Sequence, residues 1–303
     1  MFLKTPKAST DQRLRSLLQK AARRGYADVV ELALTRLDRS GDKTWLRSRT
    51  VVITFEECWP LAAALSVNRE LSSKREALRR VTQASKQKDA AGLGALAYAY
   101  QEGDQSMLDC VPDRYALKIV SEALLRPSAF FGWVLTQSRT EECTNIILAA
   151  QQYLPAATWQ WDKACILAGA LLSTFGERPI IESADMPSTE FPYWVAIDKH
   201  TPEGKVVLHE VAKEMHSSYR RLIWASFYYE SAYVNQLLPS PWWGAEKIWR
   251  LRRAGLSLDG AEDLWSRARP LVRQRLEGPA ASLKELIEAT KSVADVPIQA
   301  RLV

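Results

Sequence analysis

Apolar residues recur at helical spacing along almost the whole chain, and that periodicity restricts the fold to packed helices. Leu14, Leu17, Leu18 and Ala21 follow i, i+3, i+4, i+7 spacing, which places them on one face of a helix. Thr10 or Asp11 can cap its start, and Gly25 suits its end. Val29, Val30, Ala33, Leu34 and Leu37 form a second stripe, closed by Ser40-Gly41-Asp42. A third helix is predicted from near Lys43, carrying Trp45, Leu46, Val52 and Ile53 inward. Its run Thr50–Phe55 is strongly β-branched and reads as a strand on propensity alone. Helical neighbours and the lack of a partner strand outweigh that propensity.

Further helices are predicted near 70–88, 91–102, 114–125, 139–153 and 158–175. Pro179 to Pro192 carries three prolines and little periodicity, so 179–192 reads as a linker or loop between helical regions 1–178 and 193–303. A long helix is predicted over about 205–237, stopped by Pro239-Ser240-Pro241, with shorter ones near 244–254, 261–276 and 281–292. The expected class is all-α, a multi-helix array without a substantial β-sheet. Of the 303 residues, 47% are hydrophobic and 25% charged, a composition that suits a folded core and excludes disorder. No apolar run approaches the roughly 20 residues of a membrane span. The best one, Cys165 to Phe175, reads as a buried helix.

Met1–Lys7 has no apolar segment behind its charges, so no signal peptide is expected. Cys58, Cys110, Cys143 and Cys165 are scattered and include no C-x-x-C pair, which fits reduced thiols in a cytoplasm. The net charge of +6 is modest, and its clustering matters more than its size. Lys4, Lys7, Arg13, Arg15, Lys20, Arg23 and Arg24 face only Asp11 in the first 25 residues. A second cluster is Lys74, Arg75, Arg79, Arg80, Lys86 and Lys88, and a third runs from Lys247 to Arg275.

Catalytic signatures are missing. Gly41-Asp42-Lys43-Thr44 lacks the upstream glycine of a phosphate-cradling loop, and there is no G-x-G-x-x-G or G-x-S-x-G. His209 and His216 are seven residues apart, and position 213, where a zinc-protease helix needs its second His, is Lys. No enzyme site, metal or cofactor is therefore expected, although Asp198, His200, Thr201 and Lys205 are polar and close enough to keep an enzyme reading open. Trp242-Trp243 follows Pro241, and an exposed indole near Arg250, Arg252 and Arg253 would suit base stacking or a protein interface.

Two blocks resemble a known family. The first is Leu18–Gly25 (Leu-Gln-Lys-Ala-Ala-Arg-Arg-Gly), continuing through Asp28, Glu31-Leu32-Ala33, Ser40-Gly41 and Trp45–Arg49 to Glu56-Glu57. The second is Ala196–Lys205, with Asp198, His200, Thr201 and Gly204, followed by Tyr228-Tyr229-Glu230-Ser231-Ala232. Together they resemble the C-terminal helical region of the replication-associated recombination protein A (MgsA) family and its small stand-alone relatives. These are relatives of clamp loaders and of the Werner-helicase-interacting protein. No ATPase module is visible in the chain, and the acidic pair here runs into Cys58-Trp59-Pro60. The resemblance implies a clamp-loader-collar-like, AAA-associated helical fold acting in DNA replication or recombination. Its implied partners are single-stranded or forked DNA, a separate ATPase or replication protein, and further copies of the chain. On that reading Lys20, Arg23, Arg24, Arg47, Arg49 and Lys205 contact phosphates. The alternative is an assembly module that binds proteins without touching nucleic acid.

Overall fold

A computed structural model describes residues 11–65, 71–176 and 178–294. Lys4, Lys7 and the Met1–Lys7 segment lie outside them. Thirteen α-helices, short 3-10 turns, one π turn and three isolated bridges account for the regular structure of the described residues, which contain no strand. The all-α expectation holds. No described helix is long and apolar enough to cross a membrane.

Helix α1 (Gln12–Arg24) starts where Asp11 accepts from the Arg13 backbone and ends at Gly25, whose φ of 83° is the left-handed cap that glycine adopts most easily. It packs antiparallel to α2 (Ala27–Arg39), burying the two apolar stripes together. Next comes α3 (Lys43–Cys58). Its Leu46, Ile53 and Cys58 enter one apolar cluster while Val51, Val52 and Phe55 enter another. A helix buried on opposite sides has no single stripe, which explains how the β-branched run Thr50–Phe55 is accommodated. The Thr50 and Thr54 hydroxyls donate to carbonyls one turn back, so neither is left unsatisfied.

The first cluster unites α1, α2 and α4 (Leu71–Gln83) with α10 (Pro202–Glu214), α11 (Tyr219–Ser226) and α13 (Leu258–Ala294). The second unites α5 (Asp89–Gln101), α6 (Arg114–Leu125), α7 (Pro127–Thr136), α8 (Glu141–Tyr153) and α9 (Gln160–Leu172) with the start of α12 (Pro241–Arg253). The apolar clusters thus mix helices from before and after 179–192. That segment is mostly extended and pinned to its surroundings: Ser85 donates to Ile181, Ser183 to Gln83, and Met186 to Gly25.

Several boundaries differ from expectation. The single helix over 205–237 is two helices and a π turn. His216 adopts φ 50°, Ser218 caps α11, and Phe227–Ser231 winds into the π turn. Conversely, 261–276 and 281–292 belong to one 37-residue helix that accommodates Pro270 and Pro279. Pro241 opens α12 at its first turn. Helix α4 ends at Gln83, and 84–88 crosses the interior, with isolated bridges at Ala84, Lys86 and Gln87. There Lys86 donates to Gln236 and accepts from Leu238, and Gln87 donates to Glu57. Helix α7 was not anticipated, although Pro127 at its first turn is a start signal.

Helix α5 approaches its neighbours through glycine. A Cβ at Gly94 would lie 2.5 Å from the Cys165 backbone nitrogen of α9, and one at Gly92 would lie 2.3 Å from the Trp242 carbonyl carbon of α12. Gly94→Ala is expected to cost about 1–3 kcal/mol through overpacking. Gly132→Ala in α7 has open space around its Cβ and is expected to stabilise by about 0.5–1 kcal/mol. Urea unfolding of both variants checks the pair, and a neutral Gly94→Ala would contradict the close approach.

Candidate functional site

The charged side of α1 faces inward. Leu17, Lys20, Ala21 and Arg24 share one row at i, i+3, i+4, i+7, so the cations flank the apolar stripe instead of opposing it. Lys20, Arg23 and Arg24 are buried, with 3%, 3% and 6% of their surface exposed. This departs from the expectation that the three contact phosphates, because each has a carboxylate partner inside the protein.

Arg23 is the hub. Its Nε donates to Glu57 Oε1 at 2.7 Å, its Nη2 to Glu56 Oε1 at 2.8 Å, and its Nη1 to the Ser231 carbonyl at 2.7 Å. Lys88 completes the site, with Nζ 3.1 and 3.0 Å from the two Glu57 oxygens and 4.6 Å from the centre of the Trp243 ring. Glu57 and Lys88 are fully buried. Burial alone would raise the Glu57 pKa, but Arg23 and Lys88 outweigh it and bring the carboxyl down to about 2. Glu56, at the rim, accepts from Gln19 at 2.8 Å and from Arg49 Nη2 at 3.4 Å. Arg49 Nη1 also donates to Asp162 at 3.0 Å.

The second block closes over the same side of α1. Lys20 Nζ donates to Asp198 Oδ2 at 2.6 Å and to Ser16 at 2.8 Å. Asp198 also accepts from the His200 backbone at 2.9 Å and sits 3.0 Å from His200 Nδ1. Burial would raise the Asp198 pKa, but Lys20 and His200 hold it well below the usual carboxylate range. Thr201 caps α10: its hydroxyl accepts from Gly204 N at 3.2 Å and donates to the Asp198 carbonyl at 3.0 Å. A Cβ on Gly204 would sit 2.1 Å from that carbonyl oxygen, so the turn closes only over glycine. The polar spacing from Asp198 to Gly204 therefore builds a helix start and a lysine anchor.

Arg24 anchors the π turn. Its Nη2 donates to the Glu230 carbonyl at 2.6 Å and to Glu230 Oε1 at 3.0 Å, while Arg269 and Trp265 donate to Oε2 at 2.8 and 3.3 Å. Residues quoted from distant stretches of sequence, Lys20, Arg23, Arg24, Glu56, Glu57, Asp198, Glu230 and Ser231, are brought together. Arg47 and Lys205 are not: both are exposed, on α3 and α10. His209 and His216 are exposed, and no group of three or more His, Cys, Asp or Glu among the described residues is arranged to hold a metal ion.

Two members were missed as site residues. Lys88 belongs to the second basic cluster, and the same run contains Lys86, whose buried Nζ donates to the Val81 and Thr82 carbonyls at 2.7 and 3.1 Å and also to Ala84. Lys86 thus sits on the negative end of α4, and burial pulls its pKa down to about 8. The available signal was the apolar context of the segment (Val81, Ala84 and Ala90) combined with the lack of acids between 77 and 88.

The pH dependence follows in sign. Glu57 and Asp198 have depressed folded-state pKa values, so their stabilisation is present above the ordinary carboxylate range and is lost as pH falls through it. Stability measured by urea unfolding is expected to fall steeply from about pH 5 towards pH 2. Glu57→Gln is expected to cost about 3–5 kcal/mol at pH 7 by leaving two cations short of their partner, and to flatten that acid slope. Wild-type stability independent of pH in this window would contradict the ion-paired interior.

No family model, curated protein or solved structure matches the chain.

Proposed function

We propose that this chain is a non-catalytic accessory factor that associates with single-stranded or forked DNA in replication or recombination, alongside a separate ATPase or replication protein. The observation that carries this reading is the convergence of both resembling blocks on one ionic seam, through Lys20–Asp198, Arg23–Glu57 and Arg24–Glu230. Residues far apart in sequence that share one structural role fit a common motif, the one quoted from the replication-associated recombination protein A family. The role that fits Lys20, Arg23 and Arg24 is cohesion of the fold. Contact with phosphates falls to cations that stay at the surface, including Arg47 and Lys205.

A second reading rests on a different observation. Tyr115, Leu125, Trp133 and Leu148, on α6 to α8, are 80%, 61%, 42% and 41% exposed. Large exposed apolar groups on neighbouring helices favour an assembly surface, with a second copy of the chain or a protein partner as the ligand.

Fluorescence anisotropy of labelled single-stranded and forked oligonucleotides tests the first reading. Micromolar binding at low salt is expected, weakening at least about tenfold between 50 and 200 mM salt as counterion release requires. No binding at low salt, combined with a defined oligomer by light scattering, would overturn it in favour of the assembly module.

A further inference from the structure

Lys199 lies between Asp198 and His200 on the turn that leads into α10, yet its ammonium shares neither of their bonds. Its Nζ lies 3.8 Å from the centre of the Trp224 ring and 4.0 Å from that of Phe227. Among the described residues it has no hydrogen-bond acceptor and no carboxylate partner. The nearest acid is committed elsewhere: Asp198 serves Lys20 and His200.

Arg250 of α12 comes to the same indole. Its guanidinium carbon is 4.5 Å from the Trp224 ring centre, 4.6 Å from Trp161 and 4.4 Å from Trp249. Its Nε donates to Glu246 at 3.1 Å, and Glu246 in turn takes the Tyr228 hydroxyl in a short hydrogen bond. Two cations are therefore held over one aromatic ring, and the single carboxylate that faces them is shared with a phenol. Aromatic faces attract a cation far less strongly than full solvation or a carboxylate does. Two cations thus share one carboxylate, which leaves the surroundings of the Trp224 ring with a surplus of positive charge.

We infer that Lys199 and Arg250, presented on the Trp224 ring, form a binding site for a phosphoryl oxyanion. A guanidinium and an ammonium together match the several oxygens and the charge of phosphate, and the indole walls strengthen the attraction by excluding water. The Arg250 side chain is 14% exposed and Lys199 is partly exposed, so the site meets solvent at its edge. The state of the amine agrees: burial first, with Arg250 and Lys20 adding to it and Asp198 and Glu246 only partly offsetting it, brings Lys199 down to about 7. Such an amine gains most from an arriving anion, which restores its proton. The phosphoryl group has two possible sources, the backbone or end of a nucleic acid and a free phosphate or phosphomonoester. The first source rests on the function proposed above, whereas the site does not.

Trace acetylation with isotopic acetic anhydride, resolved by mass spectrometry at each lysine, tests this on the unaltered protein. At pH 7 without ligand, Lys199 is expected to react faster than the exposed Lys118. Saturating inorganic phosphate is expected to suppress Lys199 labelling by about fivefold, the effect at pH 7 of a one-unit rise in its pKa, and to leave Lys118 unchanged. A 5′-phosphorylated oligothymidylate is expected to do the same at lower concentration. Arg250→Gln, checked for retained helicity, is expected to lose the protection. Protection by phosphate without oligonucleotide binding would keep the site and reject the nucleic-acid source. Oligonucleotide binding that leaves Lys199 labelling unchanged would reject the site and keep the nucleic-acid reading. No protection by either ligand would overturn the inference.

Discussion

Glu57 is a carboxylate with no access to water, and the architecture depends on its being neutralised from two directions. Arg23 reaches it from α1 and Lys88 from the segment before α5. Taking such charges out of water costs several kcal/mol each, so the ions persist only because their partners are delivered with hydrogen-bonding geometry. Delivery requires α1, α3 and the 84–88 segment to hold fixed relative positions. The same Arg23 binds the Ser231 carbonyl, which ties the π turn to this centre. A buried ion pair adds little net stability compared with apolar packing, but it penalises every arrangement in which the partners fail to meet. The two apolar clusters supply the driving force for collapse, and the charged seam beside them selects which collapsed arrangement survives.

The same logic separates what holds the fold from what is free to bind. Lys20, Arg23 and Arg24 are committed: each has a carboxylate, and moving any of them to an external phosphate would strand that carboxylate in the interior. Lys86 is saturated by three carbonyls at the end of α4. Lys199 and Arg250 differ: their surroundings are aromatic, Asp198 is spent on Lys20 and His200, and Arg250 shares Glu246 with the Tyr228 hydroxyl. The chain has 41 lysines and arginines against 35 acids. That small excess says nothing about partners until the inward cations are separated from those at the surface.

Much of this was legible in the sequence. The helical class, α1 and α2, and the helical state of Thr50–Phe55 followed from spacing and neighbours. Helix ends set by local backbone geometry were less legible. Ser217-Ser218 carries a capping signal in the middle of a stretch periodic enough to read as one helix, and Pro279 falls where a break is expected although α13 continues through it. The candidate site was half legible. Its members Lys20, Arg23, Arg24, Glu56, Glu57, Asp198 and Glu230 could be picked out by pattern. Their pairing could not, because Lys20 and Asp198 are separated by 178 positions and charge type alone does not distinguish an inward cation from an outward one. The helical row Leu17, Lys20, Ala21, Arg24 did carry the distinction, since a charge on the apolar side of an amphipathic helix needs a buried partner.

The central claim is that Arg23 serves the fold by neutralising Glu57. A double-mutant cycle measures it most directly, with Arg23→Met, Glu57→Leu and the paired variant compared by urea unfolding at neutral pH. The expected coupling energy is about 2 kcal/mol or more, with the paired variant more stable than either single one. Additive losses, with coupling below about 0.5 kcal/mol, would mean that the two groups do not depend on each other, and would contradict the claim.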